Sequence, residues 1–385
     1  MIFSIKTFTA IALFCSTFVE AAPIDGLTKR APKVLGLDFD VIKKSHHNST
    51  QKRSGEYNSP LTNEGYYYIT YLEFGTDHQK IGVDIDTGSA DLWVPNTSAN
   101  SDVQEYGVYD PSGSSDYQDT GEAFSIKYGD ASESTGSTGE FVTDLVSLAD
   151  GSAALKNFQF ASVSDTSVDQ SGILGIGLTS LEAPVYQGGG SEYPNFPVAL
   201  KNAGYIDKVA YSLSLNSKEA TTGSLLFGGK DTAQYEGDLV VLQHSGETAR
   251  LDATLNSVDV AGTTIQVSTP YNFDSGTTIT ILDENTYNSL TSALGATGQV
   301  VNGEPIITTT TGSITYNFDG ISIDVPISEI ITDTPYGSAL QVQYSDTAIL
   351  GDNFLRYTYL VFDLEESTIS IGRPTYSSES NIVPI

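Results

Sequence analysis

The chain has 385 residues, with 18 Lys and Arg against 48 Asp and Glu and a formal net charge of −30. That length has room for two lobes, and so acidic a surface argues against nucleic acid or an anionic membrane as partner. Eight basic and only four acidic residues precede Ser54, so the 332 residues from Ser54 on carry 10 and 44, a net of −34.

In chain order, Met1 to Ala21 reads as a signal peptide. Lys6 supplies a positive start, Phe8 to Val19 is mostly apolar, and Val19-Glu20-Ala21 suits cleavage. The apolar run is too short to span a bilayer, so the product is expected to be secreted and soluble. Cys15 is the only cysteine and lies in this stretch, so no disulfide is expected in the mature protein. Residues 22–53 read as a basic pro-segment, an intramolecular inhibitor whose hold on an acidic enzyme weakens as carboxylates protonate. Dibasic pairs stand at Lys29-Arg30 and Lys52-Arg53, and the boundary is placed at Lys52 and Arg53, where a kexin-like processing protease would cut. Lys43-Lys44 is a candidate for an ammonium held against the catalytic acids of the precursor.

From Ser54 the pattern is β-rich. Tyr66–Phe74 is dense in aromatic and β-branched residues, and strand-length runs recur at Phe141–Leu148, Leu239–Leu242, Ile321–Val325 and Tyr359–Leu364. Helical signals are few and short: Pro197 through Leu200 to Gly204, and Asp283 as N-cap before Tyr287, Leu290 and Leu294. An all-β fold with a few short helices is expected, its lobes at 54–220 and 221–385 sharing a packed interface.

Two segments 188 residues apart carry the chemistry: Asp86-Thr87-Gly88-Ser89 and Asp274-Ser275-Gly276-Thr277. Ile173-Leu174-Gly175 follows the first after 89 residues and Ile349-Leu350-Gly351 the second after 77, counted from Asp to Gly. A long-range repeat with one acid per copy fits a duplicated enzyme with a two-carboxylate site. Two such acids share a proton because both cannot ionise easily at close range. The pair can then activate water and protonate a leaving amine without metal or cofactor. Gly88 and Gly276 would permit close approach, Ser89 and Thr277 would hold the ionised oxygens, and Thr87 and Ser275 could tie the turns together.

These residues resemble the pepsin-like aspartic proteases, especially the fungal, yeast-type secreted branch. Asp86 to Pro95 is similar to that family's first active-site motif, and Ala348 to Arg356 running into Tyr359–Asp363 to its C-terminal signature. The resemblance spans roughly Tyr66 to Pro374. It implies a bilobal fold of two pseudo-symmetric lobes, with Asp86 and Asp274 at the base of the cleft between them. It implies a secreted endopeptidase, made as a zymogen, that hydrolyses protein and peptide substrates in acid. It further implies a flap with Tyr128, Gly129 and Asp130 at its tip, the Tyr128 hydroxyl meeting the Trp93 indole. Ile173 would lie near a specificity pocket or in plain core, and Thr278 joins the substrate-binding set. Asp84 and Asn272, two residues before each acid, are polar where the family is apolar; they either face substrate and favour polar or basic side chains, or turn away from the cleft.

A serine hydrolase lacks its histidine beside a Gly-x-Ser-x-Gly turn, zinc hydrolysis lacks its ligand pairs, and a two-carboxylate glycosidase leaves the flap signature unexplained. A catalytically dead relative used as a binding protein is the rival from another class, against which stand the retained Asp86, Asp274 and Tyr128. Asn48 and Asn96 are N-glycosylation acceptors, Asn96 in the mature protein. A monomer is expected.

Overall fold

The computed structural model describes residues 33–43, 66–99, 104–129, 135–168, 171–186, 189–246 and 249–385. In chain order its first strands are β1 (Leu35–Lys43), β2 (Tyr66–Phe74), β3 (Gln79–Asp86), β4 (Leu92–Pro95) and β5 (Gln118–Tyr128). They continue as β6 (Thr135–Leu148), β7 (Ala154–Thr166), β8 (Gly172–Gly175), β9 (Ala210–Ser214) and β10 (Thr222–Phe227). Three helices matter below: α1 (Ala183–Tyr186), α2 (Phe196–Asn202) and α3 (Glu284–Ala293).

All ten strands belong to one 13-stranded sheet, which also takes in Tyr235–Gln243, Tyr359–Asp363 and Thr368–Pro374. A second sheet of seven strands is built from Asp252 onward and contains Thr263–Phe273, Ile349–Leu350 and Thr280–Leu282. Around residue 221 the chain makes no break in the first sheet, because β9 and β10 pair as neighbours across it. This is the mostly-β, bilobal architecture that the resemblance implies.

The long-range repeat has a direct structural meaning. In the first half β3 runs parallel to β8, pairing Asp84 with Ile173 and Asp86 with Gly175. In the second half Thr263–Phe273 runs parallel to Ile349–Leu350, pairing Asn272 with Ile349 and Phe273 with Leu350. Each Ile-Leu-Gly is therefore the strand that flanks an Asp-bearing strand end. Its glycine is required by space: a Cβ on Gly175 would stand 2.6 Å from the Ala90 nitrogen, and one on Gly351 would crowd the Thr277 and Ile279 carbonyls.

Local signals set the elements as expected in several places. β2 runs from Tyr66 to Phe74. Asp283 caps α3 by accepting the Thr286 N–H at 3.0 Å, and Asn195 caps α2 just ahead of Pro197. One strand was not anticipated. β1 lies upstream of Lys52-Arg53, yet it sits between β10 and β2 and pairs with both. Its alternation buries Leu35, Leu37 and Phe39 and turns Gly36, Asp38 and Asp40 outward. Phe39 meets the Tyr68 ring edge-on at 5.5 Å. Each such side chain stabilises the sheet by roughly 1.5–3 kcal/mol. The basic character of the surrounding segment hid a strand that was written in its apolar period.

Candidate active site

Asp86 ends β3, and Asp274 directly follows the strand Thr263–Phe273. Each carboxylate is held by its own turn. Asp86 accepts the Gly88 N–H at 2.7 Å and the Ser89 hydroxyl at 2.5 Å. Asp274 accepts the Gly276 N–H at 2.9 Å and the Thr277 hydroxyl at 2.9 Å. The turns face each other so closely that a Cβ on Gly88 would stand 2.5 Å from the Asp274 carboxyl carbon. One on Gly276 would stand 2.7 Å from an Asp86 oxygen.

A reciprocal clamp fixes that approach. The Thr87 hydroxyl donates to the Phe273 carbonyl at 2.8 Å and accepts the Ser275 N–H at 3.0 Å. The Ser275 hydroxyl donates to the Ile85 carbonyl at 2.7 Å and accepts the Thr87 N–H at 3.2 Å. Four hydrogen bonds thus join the two halves of the sequence one residue beyond each acid. Such buried bonds contribute about 1 kcal/mol each and cost more when one partner is removed.

Both carboxyls are buried. Burial pushes Asp86 well up from the ordinary carboxylate range, and the neighbouring Asp274 charge raises it further against the opposing pull of Ser89 and Gly88. Two acids brought this close can share one proton, an arrangement able to offer a base to water and an acid to a carbonyl or amine.

β5 and β6 pair as an antiparallel hairpin, with Tyr128 opposite Thr135. The Trp93 indole N–H donates to the Tyr128 hydroxyl at 2.8 Å, and Tyr128 feels both the Ser89 hydroxyl and the Asp86 carboxyl. Gly129 has φ +79°, a left-handed conformation that glycine adopts without strain. Asp130 lies outside the described residues.

The remaining residues fall in varied places. Ile173 is buried beside Trp93, its antiparallel neighbour in β4. Asp84 is buried, and one of its oxygens accepts the Tyr68 N–H at 2.7 Å. Asn272 is buried, and its amide nitrogen has no hydrogen-bond partner among the described residues. Thr278 is half-buried and lines a small pocket with Tyr66, Lys218, Asn353 and Arg356. Asn96 donates to the Ser162 hydroxyl at 3.1 Å and accepts the Ser98 N–H at 2.8 Å. Lys52, Arg53, Asn48 and Lys44 lie outside the described residues. Lys43 is exposed, with its ammonium 5.6 Å over the Tyr66 ring and no described contact to either acid. The proposed Lys43 lock is therefore not seen.

Sequence reading gave no role to four buried polar residues near this site. Arg356 donates to the Tyr68 hydroxyl at 2.8 Å, stacks 3.7 Å over the Tyr66 ring and lies 3.9 Å from Asp352. Asp91 and Glu182 are buried. Asp91, Asp352 and Arg356 all fall inside the quoted motifs, where a charge among apolar neighbours was the available signal. Among the described residues no group of three His, Cys, Asp or Glu could hold a metal ion, and no helix is long and apolar enough to cross a membrane.

The family profile of the eukaryotic aspartyl proteases matches residues 67–373. The chain is 41% identical to candidapepsin of Candida tropicalis, over 97% of this chain and 96% of that protein. It is 38% identical to secreted aspartic protease 8 of Candida albicans, over 98% and 99%, and 37% identical to candidapepsin-1 of the same species, over 97% and 98%. The chain belongs to the eukaryotic aspartyl protease family. It is a secreted aspartic endopeptidase.

Proposed function

We propose that Asp86 and Asp274 form the catalytic pair and hydrolyse peptide bonds in protein substrates at acidic pH. The ionised member takes a proton from a water molecule between the turns as that water attacks the substrate carbonyl, whose oxygen takes the proton of the other member. The first member then passes the water-derived proton to the leaving amine as the C–N bond breaks, and the hydroxyl of the tetrahedral intermediate returns a proton to the second. No covalent intermediate is needed. The observation that carries this reading is the mutual approach of the turns, where each glycine leaves room for the other half's carboxylate. Tyr128 and Gly129, with Asp130, would close over bound peptide.

The protein is made as a precursor in this reading: signal peptide 1–21, pro-segment 22–53, lobes 54–220 and 221–385, and a monomeric product. A kexin-like enzyme would cut after Lys52-Arg53. The central seat of β1 supports inhibition that outlasts that cut, since a strand paired on both sides is not released by cleavage downstream of it. The test is hydrolysis of a denatured protein near pH 4, with and without pepstatin, beside an Asp274→Asn variant. Pepstatin-sensitive hydrolysis lost in the variant supports the pair; hydrolysis that survives in the variant refutes it. Correctly processed protein with no activity points to the dead relative that only binds.

A further inference from the structure

Five residues beyond each acid the two halves diverge: Asp91 stands in the first and Ile279 in the second. Both positions are buried. One Asp91 oxygen accepts the Tyr193 hydroxyl at 2.6 Å and the other accepts the Ala183 N–H at 2.8 Å. Glu182, fully buried beside the start of α1, accepts the Tyr193 N–H at 2.8 Å with one oxygen, and its other oxygen is buried with no hydrogen-bond partner. Tyr193 is thus gripped by a carboxyl at its hydroxyl and by another at its backbone.

Tyr193 is also part of the flap's support. Its ring meets Phe141 edge-on at 5.6 Å. It packs with Tyr128 against the small cluster of Trp93, Phe124, Ile126 and Ile173, separate from the main core. The groups that act on Asp91 are Tyr193 and the Ala183 N–H, and those that act on Glu182 are the Tyr193 N–H, Asp91 and Glu192; none of these is a cation. Tyr128 is acted on by both Asp86 and Asp91. Arg250, on a loop packed against α1, stacks 5.8 Å over the Tyr186 ring instead. Burial pushes Asp91 up to about 6 and Glu182 up to about 8. Both are therefore neutral in acid. Raising the pH places two charges in one apolar wall, one of them on an oxygen that nothing solvates.

We propose that Asp91 and Glu182 are positioning residues which, as neutral carboxyls, hold Tyr193 and with it the flap-side wall in the arrangement that receives substrate. The flap side, rather than the catalytic pair, then sets the upper pH limit of the enzyme. This rests on reading Tyr128 as the flap residue, so the test needs a signal independent of hydrolysis. Trp93, the only tryptophan in the chain, provides it from inside the cluster.

The experiment follows Trp93 emission from pH 4 to 9 in the full chain, beside the half-life of activity at pH 7. The wild type is expected to show a transition between pH 6 and 8. Glu182→Gln and Asp91→Asn keep the shape and hydrogen bonds of the neutral acids without the charge. Each should move the midpoint up by about one pH unit and lengthen the half-life about tenfold. Asp274→Asn should leave the midpoint at the wild-type value, which separates this proposal from the catalytic one. Tyr193→Phe should raise KM at pH 4 by a larger factor than it lowers kcat. A wild type without the transition, amide variants that keep its midpoint, or an Asp274→Asn midpoint that shifts as far as theirs would each overturn the proposal.

Discussion

The two acid-bearing turns are near copies, while their surroundings are not, and the difference separates what the chemistry requires from what surrounds it. Asp86 and Asp274 have matching donors, matching glycines and matching clamp hydroxyls. Seven residues on, Trp93 of the first half supports Tyr128, whereas the second half has Ile281. Each half also buries a further acid at a different place: Asp91 in the first, and in the second Asp352, where the first half has Ile176. Asp352 has Arg356 at 3.9 Å. Among the described residues Asp91 has Tyr193 and a backbone N–H as its hydrogen-bond partners. Burial raises both acids, and in Asp352 the Arg356 charge opposes the rise. The duplicated elements are those that bring two carboxyls together; the single copies are the aromatic rings and buried charges around them.

The sharpest challenge to that equivalence is to break each turn in the same way. Asp86→Asn and Asp274→Asn should each lower kcat by about 10⁴-fold on a peptide substrate at pH 4, with the fold retained by circular dichroism. A loss confined to one of them would make the pair unequal in function despite its geometry. Gly88→Ala and Gly276→Ala come next, because the added methyl enters the space of the opposite carboxyl. About 10²-fold in kcat is expected from such displacement of the acids.

The unmatched acids predict stability rather than rate. Arg356→Met leaves Asp352 without its cation and should cost about 3 kcal/mol by denaturant unfolding at pH 7. The cost should shrink in acid, where Asp352 is protonated. Asp86, Asp91, Glu182, Glu304 and Asp352 all have folded values raised above their unfolded ones by burial. Their contribution is complete below about pH 4, the unfolded carboxylate range, and is lost as pH rises through the folded values. Glu304 is pushed up to about 7 and Glu182 to about 8, which sets the window between pH 4 and 8. Thermal unfolding should therefore show Tm falling from pH 4 to pH 8. A Tm that rises over that range would contradict the shared direction of these shifts.

Much of this was legible in the sequence, in proportion to how locally it was encoded. The acids stood out because a turn that brings two carboxylates together needs small residues after each, and the same need recurs in both halves. β2 and the cap at Asp283 were readable because strand period and capping act within a few residues. β1 was masked in the sequence by the eight basic residues before Ser54, because only the alternation of Leu35, Leu37 and Phe39 carries the strand. Asp91 and Glu182 were not legible as a pair: they are 91 positions apart, and Tyr193 joins them only in the folded chain. The same holds for Arg356, whose partner Tyr68 lies 288 residues away.

The smallest effect tests the one chemical difference inside the clamp, Thr87 against Ser275. Both hydroxyls donate to a carbonyl across the interface and accept an N–H from it, so the extra methyl of Thr87 makes no hydrogen bond. Thr87→Ser would make the halves alike at this position. It should cost about 1 kcal/mol, the usual effect of deleting a buried methyl, and leave kcat within about threefold. Ser275→Ala removes the hydroxyl itself and strands the buried Ile85 carbonyl and Thr87 N–H. That should cost about 1–3 kcal/mol and a larger share of kcat, because the strand end that carries Asp86 loses a contact. Denaturant unfolding and kcat at pH 4 on the two variants decide the matter. If Thr87→Ser proves the more harmful, the clamp works through packing of the methyl and its hydroxyl symmetry is incidental.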